Sequence, residues 1–220
     1  MSSMAKRYSE PPSGRSLDEF QWEQELRRDD RRIACYFREL PLCEDLPGEE
    51  EMIFDSMQSR PNLVSAGSDP GHWRMWDAPL FAGARDEWDE SVPPRRKPGD
   101  EWLERLDKLQ AEWNALFARE LNGSLVEEGL AVSCAFGKVV VRLNDFLDTE
   151  EAELLPLKLC LGKRAVADLQ DLCGMLFAVG ELQGNLAGKT ADLADALQYV
   201  REYLTGRLAE LRRKNGASAS

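Results

Sequence analysis

The tripeptide Gly188-Lys189-Thr190, closing the stretch "GNLAGKT", has the ending of a nucleotide-binding phosphate loop. Such a loop reads G-x-x-x-x-G-K-[ST]. Its four intervening residues let backbone N–H groups curl around a phosphate, so that Lys and Ser/Thr reach the outer phosphates and magnesium. Here three residues separate Gly184 from Gly188, and the position that requires glycine is Gln183. The loop also needs a preceding strand within a parallel α/β sheet, whereas "VADLQDLCGMLFAVG" has helical spacing. The tripeptide is therefore set aside as nucleotide chemistry.

Carboxylate pairs are the next candidates. Glu101-x-x-Glu104, Asp145-x-x-Asp148, Asp168-x-x-Asp171 and Asp192-x-x-Asp195 each place two acids one helical turn apart, a spacing that presents oxygen ligands to magnesium from a helical scaffold. Glu101, Glu104, Asp145 and Asp148 are the metal ligands of one reading, a magnesium-dependent all-α nucleotide hydrolase. Asp168, Asp171, Asp192 and Asp195 miss the apolar line of their segment and are expected to face water. In a chain this acidic such pairs arise by chance, so the hydrolase stays the alternative. His72 is the only histidine, which removes multi-histidine zinc and E-x-x-H dimetal sites. No catalytic residue and no cofactor is assigned.

The cysteines Cys35, Cys43, Cys134, Cys160 and Cys173 are odd in number and form no C-x-x-C pair, the pattern of reduced thiols in a cytosolic protein. Several sit in apolar company and read as buried small hydrophobes. With 40 acidic against 28 basic residues and a formal charge of −12, broad attraction to nucleic acid or anionic lipid is disfavoured. Arg95-Arg96-Lys97 and Arg212-Arg213-Lys214 read as solvated clusters. The N-terminus lacks a signal peptide's apolar core. The longest apolar stretch, "GLAVSCAFGKVVV", carries Lys138 and falls short of the roughly 18 residues of a membrane span. A cytoplasmic protein is expected.

These groups must be positioned by helices. Residues 1–15 and 214–220 read as disordered tails, 16–59 as an N-terminal helical pair, 60–98 as an irregular acidic segment and 99–213 as a C-terminal helical domain. Ser16-Leu17-Asp18-Glu19 has the form of a capping box. Trp22, Leu26, Ile33, Phe37 and Leu40 then mark one helical face, Arg27–Arg32 ("RRDDRR") a salt-bridged solvent face, and Pro41 the helix end. A second helix starts around "LPGEEEMIFDSMQ". The irregular segment is rich in proline and carries Trp73, Trp76 and Trp88 among acids, so it either folds back on the helical body or presents a docking strip.

Leu103, Leu106, Gln110, Trp113, Phe117 and Leu121 predict a further helix ending at Asn122-Gly123. Ser124 and Glu127 repeat the capping pattern, and Val132, Phe136, Val139, Leu143 and Phe146 continue a second helix antiparallel to it. A β-hairpin over "AVSCA-FG-KVVVRL" is the rival there. Alternation in "LPLKLCLG" predicts a short extended crossing. From Leu169 to Leu211 a lattice of three-four spacing includes Leu193, Leu197, Val200 and Leu204, as in a coiled-coil seam. Its continuity across Gly180, Gly184 and Gly188 favours one long, weak-waisted helix. The alternative is an antiparallel hairpin turning at Gly184–Lys189, with Thr190 capping the second arm.

The expected fold is an all-α helical bundle with a long coiled-coil-like C-terminal helix and a Trp-rich irregular segment. The expected function is a non-enzymatic interaction or scaffold module that self-associates through helical packing. Its candidate contact residues are Trp73, Trp76, Trp88, Leu193, Leu197, Val200 and Leu204, its partner is a protein or a second copy, and neither nucleic acid nor membrane is expected.

Overall fold

The computed structural model describes residues 17–43, 46–60, 63, 98–121 and 123–218. Ser16, His72, Trp73, Trp76, Trp88 and Arg95-Arg96-Lys97 lie outside them. Among the described residues the chain is all-α, without strands. The described residues include six α-helices: α1 (Glu19–Cys43), α2 (Glu49–Gln58), α3 (Asp100–Glu120), α4 (Val126–Asp148), α5 (Glu151–Leu182) and α6 (Ala187–Ser218). Helices α1 and α2 belong to one compact unit and α3 to α6 to a second.

In the first unit a reciprocal capping box does form, two residues beyond the predicted one. The Gln21 N–H donates to Asp18 Oδ1 at 2.8 Å, and the Asp18 N–H to Gln21 Oε1 at 3.0 Å. The helix then runs past Pro41 to Cys43, since a proline in the final turn removes a single main-chain hydrogen bond. The basic-acidic stretch is laced by in-helix pairs, Arg27–Glu23, Arg28–Glu25 and Arg32–Asp29. Trp22 and Leu26 are buried as predicted, and beyond them the buried line departs from the predicted one. Cys35 and Cys43 are buried, whereas Ile33 and Phe37 are exposed. The cause is α2, whose Ile53 and Met57 pack with Leu63 on the Cys35–Cys43 side of α1. Gly48, at φ 78°, supplies the left-handed turn that precedes α2.

Helices α3 to α6 form an up-and-down four-helix bundle in which α3 packs on α4, α4 on α5, α5 on α6, and α6 back on α3. Short connections at 121–125, 149–150 and 183–186 leave each neighbour no choice but to run antiparallel. In α4 the sequence reading holds: Val132, Phe136, Val139, Leu143 and Phe146 are all buried, and the β-hairpin rival does not form. Helix α4 opens with a 3-10 turn, Gly123–Leu125, which places Leu125 rather than Ser124 at its N-cap position. In α3 the buried line is Leu106, Leu109, Trp113 and Leu116, so Leu103, Gln110 and Phe117 flank the core. The buried Trp113 indole donates to Ser133 Oγ at 3.0 Å, tying α3 to α4. Trp102 stacks on Tyr203, their ring centroids 4.5 Å apart, which closes α3 onto α6.

Four expectations about the second half of the chain are corrected. The "LPLKLCLG" stretch is helical, with a kink at Leu154 (φ −126°, ψ 35°) just before Pro156. Residues 157–162 are all buried, and a helix buried on every side shows no single apolar stripe, which lets it mimic strand alternation. The long final seam is likewise two helices. Gln183 leaves helical geometry at φ −131°, ψ 85°, and Gly184–Leu186 turns the chain. The Cys173 thiol then donates to the Ala194 carbonyl at 3.8 Å, and a Cβ on Gly180 would lie 2.5 Å from Thr190 Oγ1. Heptad spacing cannot reveal the reversal, because both arms of an antiparallel hairpin keep the same three-four alternation on their facing sides. Thr190 is no cap either. It is buried inside α6, and its hydroxyl donates to the Ala187 carbonyl at 3.2 Å. The C-terminal helix continues to Ser218, into the predicted tail.

Candidate functional site

The Gly-Lys-Thr group takes part in the α5–α6 turn. Lys189 Nζ lies 3.4 Å from Glu120 Oε1, and Gln183 Nε2 donates to the Glu120 carbonyl at 3.3 Å. Both meet the C-terminus of α3, where free carbonyls favour a cation and a donor. The lysine that resembles a phosphate ligand thus fastens the hairpin to α3.

The carboxylate pairs do not converge. Glu101 and Glu104 are exposed, while Asp145 is buried at 7% exposure and Asp148 is half-buried. Glu101 Oε2 accepts the Gly99 N–H at 3.2 Å, a helix-start role, and Asp148 accepts from Asn144 at 3.5 Å. Among the described residues no three His, Cys, Asp or Glu side chains gather as a metal-holding group. Asp171, Asp192 and Asp195 are exposed as expected, but Asp168 is buried. It bridges α5 to α4 through Lys138 at 2.6 Å and Arg142 at 3.6 Å, a role the single-helix pattern of α5 did not reveal.

A second ionic centre sits where α4 hands over to α5. Lys158 is buried and donates to the Thr149 carbonyl at 2.7 Å, with Nζ 5.2 Å from the Phe146 ring centroid. Burial holds its pKa below the usual lysine value, Glu151 and Asp148 work against that, and Arg207 and Lys214 add to it. Glu151 in turn pairs with Arg207 at 3.0 Å and Lys214 at 3.3 Å. The terminal basic cluster is exposed as expected, and its Lys214 reaches Glu151 from the solvent side. The cysteines are free. Cys35, Cys43 and Cys160 are buried, Cys134 is exposed, and burial pushes the half-buried Cys173 thiol up, toward its unreactive protonated form.

Compared with family models, curated proteins and solved structures, the chain matches none.

The candidate contact residues Leu193, Leu197, Val200 and Leu204 are buried in the bundle, the last three at 0% exposure. They belong to the intramolecular seam between the hairpin arms and cannot double as an outer surface. Uncovered apolar side chains of this unit lie on several helices: Val126, Leu130 and Val141 on α4, Met175, Phe177 and Leu182 on α5, and Tyr199 on α6. A shallow groove of about 410 Å³ lies between α5 and α6, bounded by Gly174, Phe177, Ala194, Asp195 and Arg201. Reading one apolar line through α5 hid its outer face. The available signal was that this helix carries Met, Phe and Leu on more than one side. No helix among the described residues is long and apolar enough to cross a membrane.

Proposed function

We propose that the chain is a non-enzymatic, self-associating helical interaction module. One observation carries this reading: α5 is a core helix that also leaves Met175, Phe177 and Leu182 exposed away from its buried line, and a helix apolar on more than one side is one that packs on more than one side. Self-association therefore runs through the outer side of the bundle and leaves the Leu193–Leu204 seam intact. The net charge of −12 favours a protein surface over nucleic acid or anionic lipid as partner. Free thiols throughout the described residues support a reducing, cytoplasmic setting.

Thermal unfolding across protein concentrations separates this reading from the magnesium hydrolase. A self-associating fold gains stability with its own concentration, so a Tm that climbs over about a hundredfold concentration range and ignores magnesium is expected. A concentration-independent Tm that rises with magnesium, and loses that response in Asp145→Ala or Asp148→Ala, would favour the hydrolase.

A further inference from the structure

Helix α4 carries a second apolar line besides its core. Val126, Leu130, Cys134, Gly137 and Val141 follow one another by fours and a three, the spacing of a heptad seam. At about 100° per residue they fall within an arc of about 80°, centred about 150° away from the buried Val132, Phe136, Val139 and Leu143. Val126 is 39%, Leu130 52% and Val141 52% exposed, and Cys134 is exposed. A Cβ on Gly137 would meet nothing within 4 Å. No carboxylate, lysine or arginine stands in this arc between Val126 and Val141. Helix α3 extends the uncharged surface. Ser133 Oγ lies 3.1 Å from Asn114 Oδ1, and Ala111 and Ala118, about one turn to either side of Asn114, are exposed. A low alanine shelf on α3 thus lies beside a Val-Leu ridge on α4.

We infer that this face docks on the same face of a second copy of the chain, α4 antiparallel to α4 about a two-fold axis between Ser133 and Cys134. The inference rests on the proposed self-association and gives it a face and a register. Two features single out a second copy as the occupant. The outer four members of the line are paired about that axis: Val126 with Val141, and Leu130 with Gly137. A two-fold therefore sets Val126 on Val141 and Leu130 into the space left open at Gly137, and each contact occurs twice. The face also supplies both halves of the contact, so the ridge of one copy settles between α3 and α4 of the other. Two chains of charge −12 repel, but a contact without charged side chains adds nothing to that repulsion, which is screened beyond about 8 Å at physiological salt. The ridge is about 23 Å long and the two helices of the face about 8–10 Å apart. Such a contact stands near the lower bound of stable interfaces, around 1,200 Å² in total, and corresponds to a Kd of about 1–100 μM.

A size swap tests the register, because both members of the Leu130–Gly137 contact come from the same sequence. Sedimentation velocity is compared for wild type, Gly137→Leu and the double variant Leu130→Ala/Gly137→Leu, with circular dichroism to verify the helices. Gly137→Leu fills the space that Leu130 of the second copy enters and is expected to raise Kd about tenfold or more. Adding Leu130→Ala is expected to return Kd to within about threefold of wild type. Raising sodium chloride from about 0.05 M to about 0.5 M is expected to tighten the wild-type dimer. Cys134 stands beside the axis next to its own symmetry mate, so a bis-maleimide spanning the roughly 8–10 Å between packed helices is expected to link two wild-type chains and not two Cys134→Ser chains. A dimer indifferent to Gly137→Leu, dissociated by salt, or not linked through Cys134 overturns this face and leaves self-association standing. A wild-type chain that stays monomeric at about 200 μM, above the Kd range of a small interface, overturns both; a monomer whose Cys134 is shielded from maleimide does so by showing another segment of the same chain on the ridge.

Discussion

Lys158 keeps only 7% of its surface exposed, yet it carries an ammonium between Thr149 and Phe146. Its folded pKa lies below the ordinary 10.5, so in the window between the two values the unfolded chain binds more protons. Stability contributed at this site therefore rises with pH through that window, and below the folded value the burial penalty is complete. Urea unfolding of wild type and Lys158→Met from about pH 7 to about pH 10 is expected to show the difference, wild type minus variant, growing in favour of wild type. A difference that stays flat would mean that the ammonium is not desolvated. Asp168→Ala removes the acceptor shared by Lys138 and Arg142 and is expected to destabilise by about 1–3 kcal/mol. The exposed Asp171→Ala control should stay within about 0.5 kcal/mol. Neither ionic centre was legible in the sequence. Lys158 sits inside an unbroken buried run, and the partners of Asp168 come from a different helix.

At the scale of elements, legibility followed amphipathicity. Helix α4 has one buried and one wet side, and its five predicted core residues are its core. Helix α5 is buried all round at 157–162 and apolar outside at 175–182, so no single period described it. The α5–α6 reversal was hidden because its glycines differ in environment while sharing a spacing. A Cβ on Gly180 would meet Thr190 Oγ1 at 2.5 Å and the Ala187 backbone at 3.2 Å, whereas one on Gly188 meets nothing. Gly180→Ala is thus expected to destabilise by about 1–2 kcal/mol despite better helix propensity. Gly188→Ala should be neutral or stabilise by about 0.5 kcal/mol; calorimetric Tm values check both. Spin labels at Gln170 and Gln198, which line the same groove, should lie about 10–15 Å apart in a background of unlabelled chain, the scale of packed neighbouring helices. A continuous helix would hold them about 42 Å apart.

For the molecule as a whole, composition identified an acidic protein and apolar spacing a helical one, and the bundle bears out the helices of the C-terminal unit. The same lattice that identified the helices also mislocated the surface. Leu193, Leu197, Val200 and Leu204 look like a partner-binding seam until the chain reverses and consumes them. What stays uncovered on the outer side of the bundle includes Val141 on α4, Phe177 on α5 and Tyr199 on α6. Self-association through that side is the central claim, and sedimentation equilibrium of the unmodified chain near about 100 μM, the upper Kd of a small interface, tests it most directly. The expected weight-average mass climbs with concentration toward twice the 24.9 kDa of one chain. A mass fixed at that of a single chain across the whole range would contradict it.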